Sequence, residues 1–191
     1  MNTVITGIGK ISSTNTEEAL DRLSGRIKQM RLVTTLEQLA VAAVGRAFDD
    51  AGIDFPVCNS SIGIYFGIDD AVEDIKNEYF DGILKEGVLG ASPLLFPYTS
   101  PNALAAQVSI VFDMRGEIVT MPTNHSSADM IEYASECIAG GYSRMAIAGG
   151  ITIKDKNTSI REDRYIAEFF FIERLSHAMA RGAKVYQSIK R

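Results

Sequence analysis

The chain has 191 residues, 46% hydrophobic and 23% charged, which is enough apolar content to bury a core without disulfide staples and too much for a disordered chain. With 19 Lys and Arg against 24 Asp and Glu, the net charge of −5 lacks the basic excess that phosphate-backbone binding requires, so nucleic acid is excluded as an expected partner. No run approaches the roughly 18 apolar residues of a membrane span, and residues 1–10 lack a charged start followed by an apolar core, so the expectation is a cytoplasmic protein without a membrane partner.

In chain order, residues 1–9 begin with the apolar run Val4-Ile5-Thr6-Gly7-Ile8-Gly9, in which β-branched residues meet glycines as at the end of a buried strand. Residues 16–24 read as a short helix with an acidic first turn. Thr34 and Glu37 have the capping-box spacing, and Leu36, Leu39, Ala40, Ala43, Val44, Ala47 and Phe48 then repeat at three and four. That predicts an amphipathic helix lying on a sheet, stopped by Gly52 in a left-handed turn. Residues 62–67 form a second strand, and 69–86 a more polar surface stretch with weak helical spacing. Ser100-Pro101 starts a helix, with Ser100 as cap and Pro101 in the first turn, whose apolar residues all round predict burial on several sides.

Residues 117–121 are a third strand, and 122–127 a polar corner before a helix with Met130, Ile131, Ala134 and Ile138 on its inner face and Gly140-Gly141 at its end. Residues 145–150 are continuously apolar, as in a central parallel strand, and 152–164 read as an exposed charged loop. Residues 168–172 give a fifth strand and 175–181 a short helix, while 185–189 look like a sixth strand. This alternation predicts an α/β domain with a mostly parallel five-stranded sheet and helices on both faces, with residues 1–191 forming a single domain. Cys58 and Cys137 are too few for a disulfide framework, and with His125 and His177 they complete no metal pattern, so no metal and no cofactor are expected.

Several ordered stretches carry a resemblance: VITGIGKISS at 4–13, SPLLFPYTSPNALAAQVSI at 92–110, MRG at 114–116, AIAGG at 146–150 and HAMARGAKVY at 177–186. Together they resemble the amino-terminal half of the β-ketoacyl synthases, condensing enzymes of the thiolase fold that build fatty acids and polyketides. The resemblance implies a thiolase-like half fold. It also implies a cysteine nucleophile in a Thr-x-Cys-x-Ser-Ser corner, where helix amides and dipole lower the thiol pKa.

This chain reads Thr123-Asn124-His125-Ser126-Ser127-Ala128, with no cysteine in the corner. Counting forward from Thr123 places His125 at the nucleophile position, and counting back from Ser126-Ser127 places Asn124 there. An amide at that position resembles the glutamine of chain-length factors and decarboxylating loading domains. Cys137 lies nearly three turns into the next helix and reads as a small buried hydrophobe. The family's catalytic histidines and lysine belong to a carboxy-terminal half that these residues do not contain, so neither His125 nor His177 inherits those roles. His177 reads as solvated on a charged helix, and Phe169-Phe170-Phe171 as strand core.

Two functions from different classes follow. One is a catalytically incomplete accessory or chain-length-factor-like partner, needing no nucleophile, that docks on a complete ketosynthase or an acyl carrier protein. The other is a small acyl-thioester-processing enzyme, of acyltransferase or decarboxylase type, using the Asn124-His125-Ser126 corner, with Ser126 as the candidate nucleophile although serine there is first of all a helix cap. A gene remnant that folds without a role is a third. A lone half fold exposes an apolar face, which predicts a homodimer through the strand at 117–121, or a heteromer with a complete ketosynthase.

Overall fold

The computed structural model describes residues 2–27, 32, 34–58, 61–123, 126–154 and 164–189. The strands are β1 (Thr3–Ser12), β2 (Ile62–Ile68), β3 (Ile118–Pro122), β4 (Met145–Ile153), β5 (Tyr165–Arg174) and β6 (Gln187–Ile189). The α-helices are α1 (Thr16–Leu23), α2 (Thr35–Ala51), α3 (Glu73–Glu86), α4 (Asn102–Phe112), α5 (Ser126–Gly140) and α6 (Leu175–Ala180). The strands form one sheet in the order β3-β2-β4-β5-β1-β6.

The α/β class and the helices on both faces match the expectation, but among the described residues the sheet has six strands rather than five and is mixed in its pairing. β2 pairs parallel with β3 and β4, whereas β4 with β5, β5 with β1, and β1 with β6 are antiparallel. The mostly parallel reading therefore survives only as direction: β1 to β4 point one way, and β5 and β6 point back. The reason is local. Only residues 154–164 connect β4 to β5, fewer than the dozen or more a parallel crossover needs, and a short return enters the sheet antiparallel. Lys154 N donates to Arg164 O at 2.8 Å where the two strands part. The rest of the charged loop, 155–163, lies outside the described residues.

α2 forms as its sequence dictates. The Thr34 side chain accepts from Glu37 N at 3.2 Å, the Glu37 carboxylate accepts from Thr34 N at 2.8 Å, and Gly52 closes the helix at φ 67°. All seven apolar residues of its predicted face are buried. The helix crosses β1 so closely that a Cβ on Gly9 would lie 1.8 Å from the carbonyl oxygen of Ala43.

On this face α1, α2 and α4 cover Ile62, Ile64, Phe66, Ile68, Phe169 and Phe171, with Phe48 stacked against Phe112 (centroids 5.3 Å apart) and Phe171 (5.8 Å). On the opposite face α5 sets Met130, Ala134 and Ile138 on Tyr65, Ala146 and Ala148. β2 is buried along its whole length because helices cover both faces there.

One detail of α4 differs from expectation. Ser100 makes no side-chain cap: Pro101, already helical at φ −55° and ψ −31°, stands at the cap position and the helix begins at Asn102. Burial on several sides is as expected, with Leu104, Ala105, Val108, Val111 and Phe112 buried, while Ile110 is 46% exposed.

Candidate functional site

The parallel strands β2 and β3 deliver the chain to the amino terminus of α5, where backbone amides converge and the helix dipole is positive. Thr123 closes the end of β3: its N–H donates to Ile68 O at 3.0 Å and its hydroxyl donates to the carboxylate of Asp129. Asp129 stands in the first turn of α5. A carboxylate there already occupies the field that would stabilise a thiolate or an oxyanion at the tip.

Beside the corner a cleft of about 270 Å³ is lined by Ile68, Asp69, Glu73, Lys76, Pro101 and Thr123, among others. Its charged lining residues are Asp69, Asp70, Glu73 and Lys76. Asp69 is committed to structure, accepting from Ala71 N and Ile153 N at 3.0 Å each, and Lys76 is held by Glu73 at 2.6 Å.

Asn124 and His125 lie outside the described residues. Ser126 begins α5, in keeping with the expected corner at a helix start. The structure does not bring either cysteine to this corner. Cys137 lies on α5 about 16 Å further along the helix axis than Ser126, at the rise of about 1.5 Å per residue. It is half-buried rather than fully buried, near Tyr65 and Tyr133. Cys58 is exposed in the loop after Pro56, and its hydrogen bond to Asp113 raises its pKa, the opposite of nucleophile activation.

Two buried polar clusters escaped the sequence reading. In the first, Tyr65 donates to Glu117 Oε2 at 3.0 Å and shares a 2.9 Å hydrogen bond with Ser143 Oγ; burial raises the phenol well above its ordinary range. In the second, the fully buried carboxylate of Glu173 accepts from Thr6 Oγ1 at 2.6 Å, from Arg181 and from the His177 ring. Burial alone would raise the Glu173 pKa, but the hydrogen bonds from Arg181, Thr6 and His177 outweigh it and hold the group below its usual range. His177 is thus half exposed yet tied down, rather than simply solvated. The i, i+4 spacing of Glu173, near the end of β5, and His177, on α6, is visible in the sequence, but nothing there marks Thr6 as a further partner.

Comparison with known proteins places this geometry. A family model described as β-ketoacyl synthase, N-terminal domain, matches residues 7–162. The 3-oxoacyl-[acyl-carrier-protein] synthase 2 of Vibrio harveyi is 25% identical over 193 aligned positions, covering 85% of this chain and 46% of the synthase. The chain thus spans about half the length of that relative. Among solved structures, the ishigamide ketosynthase/chain length factor aligns at a TM-score of 0.79 and 20% identity, over 98% of this chain and 62% of that one. A type II polyketide acyl carrier protein in complex with its ketosynthase bound to the hexaketide, AntDE:AntF, aligns at a TM-score of 0.69 and 19% identity, over 100% and 67%. The fold is the thiolase-like fold of the ketosynthases.

Proposed function

The chain belongs to the β-ketoacyl synthase family through its N-terminal domain, and on that premise we propose that residues 1–191 act as one catalytically incomplete domain, an accessory or chain-length-factor-like partner in fatty acid or polyketide synthesis. The observation that carries this reading is the corner before α5. Thr123 to Ala128 contain no cysteine, Asp129 fills the first turn, and both thiols of the chain lie elsewhere. Without a cysteine at the helix tip the chain lacks the thiol that carries the acyl group through the family's condensation.

The partner in this reading is a complete ketosynthase, with an acyl carrier protein as a second contact. The solved relatives support it, since one is a ketosynthase/chain length factor and another is a ketosynthase in complex with its carrier. β3 is the natural seam for a second copy or a ketosynthase subunit. Among the described residues it is the sheet's edge, paired with β2 alone, and Ile118 on it is 45% exposed.

Incubation of the purified chain with a radiolabelled acyl thioester tests the reading. It predicts no covalent label on any residue. Label that survives in the Cys137→Ala and Cys58→Ala variants and disappears in Ser126→Ala would instead establish an acyl-thioester-processing enzyme working from the Asn124-His125-Ser126 corner.

A further inference from the structure

Helix α1 is fastened to the fold at both ends. At its start Thr16 Oγ1 donates to Ser12 O at 2.9 Å, and near its end Leu23 seats over Gly45 of α2, where an added Cβ would lie 2.6 Å from Leu23 Cδ1. Along this contact a cleft of about 330 Å³ lies between α1 and α2, within the size range of small-molecule sites. Its floor is apolar. Ile11 of β1, Ala19 and Leu23 of α1 and Ala42 of α2 line it, and Ile11, Leu23 and Ala42 are buried.

The rim is polar, and its acids are already engaged. Glu18 accepts from Arg22 at 2.5 Å, Asp49 accepts from both terminal nitrogens of Arg26 at 2.7 and 3.2 Å, and Asp50 accepts from Ile8 N and from the Tyr186 hydroxyl at 2.8 Å each. Asn15 uses its oxygen to accept from Ser12 N at 2.8 Å, while its amide N–H groups have no described partner. Arg46, one helical turn beyond Ala42, makes no hydrogen bond or ion pair with a described residue. The unmatched groups of the rim are therefore donors, and Arg46 carries a full positive charge.

Three guanidiniums, Arg22, Arg26 and Arg46, stand against three carboxylates, Glu18, Asp49 and Asp50, so the neighbourhood suits a monoanion better than a phosphate dianion. A planar guanidinium meets a carboxylate through two parallel hydrogen bonds. An aliphatic tail on that carboxylate gains by leaving water for the apolar floor, which a hydrated inorganic ion does not.

We propose that the cleft between α1 and α2 binds a small aliphatic monocarboxylate, its head group on Arg46 and its tail on Ile11, Ala19, Leu23 and Ala42. The inference goes beyond the accessory role above and does not depend on it: the cleft uses neither the corner at Thr123 nor the edge at β3.

Isothermal titration calorimetry of the full chain with octanoate tests the proposal, with butanoate, octan-1-ol and inorganic phosphate as comparison probes. Octanoate should bind with a Kd below about 1 mM and at least about tenfold more tightly than each of the other three. Arg46→Gln, at an exposed position, should weaken octanoate at least about tenfold, and Ala19→Phe, which fills the cleft, should abolish binding, with far-UV circular dichroism and melting unchanged in both. Octanoate that binds the parent and either variant alike sits elsewhere on the molecule, and that result would overturn the proposal. So would octan-1-ol or phosphate binding as tightly as octanoate, or no octanoate binding below about 1 mM.

Discussion

Arg181 grips Glu173 from the side, its Nε donating to both carboxylate oxygens at 3.0 and 3.1 Å, while its Nη1 donates to Ala51 O at 2.6 Å. One guanidinium thereby ties α6 and β5 to the end of α2. Arg181→Ala leaves a buried carboxylate facing only Thr6 and His177, and breaking such a pair costs about 3–5 kcal/mol. Urea unfolding should show the loss, and the double variant Arg181→Ala, Glu173→Leu should recover much of it. A single variant within about 0.5 kcal/mol of the parent would show that the pair carries no weight.

The same carboxylate sets an acid limb. Because Glu173 is held below its ordinary value, its contribution is fully present above the unfolded-chain pKa of about 4.3 and is lost as pH falls through the lower native value. The stability gap between the parent and Glu173→Gln should be constant from about pH 7 to about pH 5 and should close below about pH 4. A gap that widened on acidification would mean that the sign is wrong.

Close approach of α2 to β1 depends on a missing side chain. Gly9→Ala would drive a methyl to 1.8 Å from the backbone oxygen of Ala43, where no rotamer can give way. The helix must shift, at a cost of about 3 kcal/mol or more. Gly52→Ala, in a left-handed turn with open space around it, should cost only about 1 kcal/mol. Comparable losses at the two sites, measured by thermal melts, would contradict the packing described.

Thiol chemistry gives an independent check on the absence of an activated nucleophile. Cys58 is exposed but hydrogen-bonded to Asp113, so its alkylation by iodoacetamide should be slow at neutral pH and become severalfold faster in Asp113→Asn. Rapid alkylation of the parent at Cys58 or Cys137 near pH 7 would reveal a reactive thiolate that the structure does not account for.

Local signals were readable before the structure. The Thr34 and Glu37 box, the apolar stripe of α2 and the Gly52 stop are each decided within a turn or two of backbone, and all three are as expected. Long-range relations were not readable. Nothing in the composition of the run at 168–172 says that it points back between β4 and β1, because the burial of Phe169 and Phe171 is the same in either direction. The Glu173 network escaped for a similar reason, since Thr6 lies 167 positions away. At α4 the competition was local but finely balanced: Pro101 takes a helical φ by itself, which moves the cap from Ser100. Of the corner, the absence of a cysteine is a sequence fact and the position of α5 behind it a structural one.

The accessory role is tested most directly by native mass spectrometry of the chain captured from its own cells. The account predicts a mass equal to this chain plus a full-length ketosynthase, with or without an acyl carrier protein. Recovery of the chain alone, or only with a second copy of itself, would contradict it.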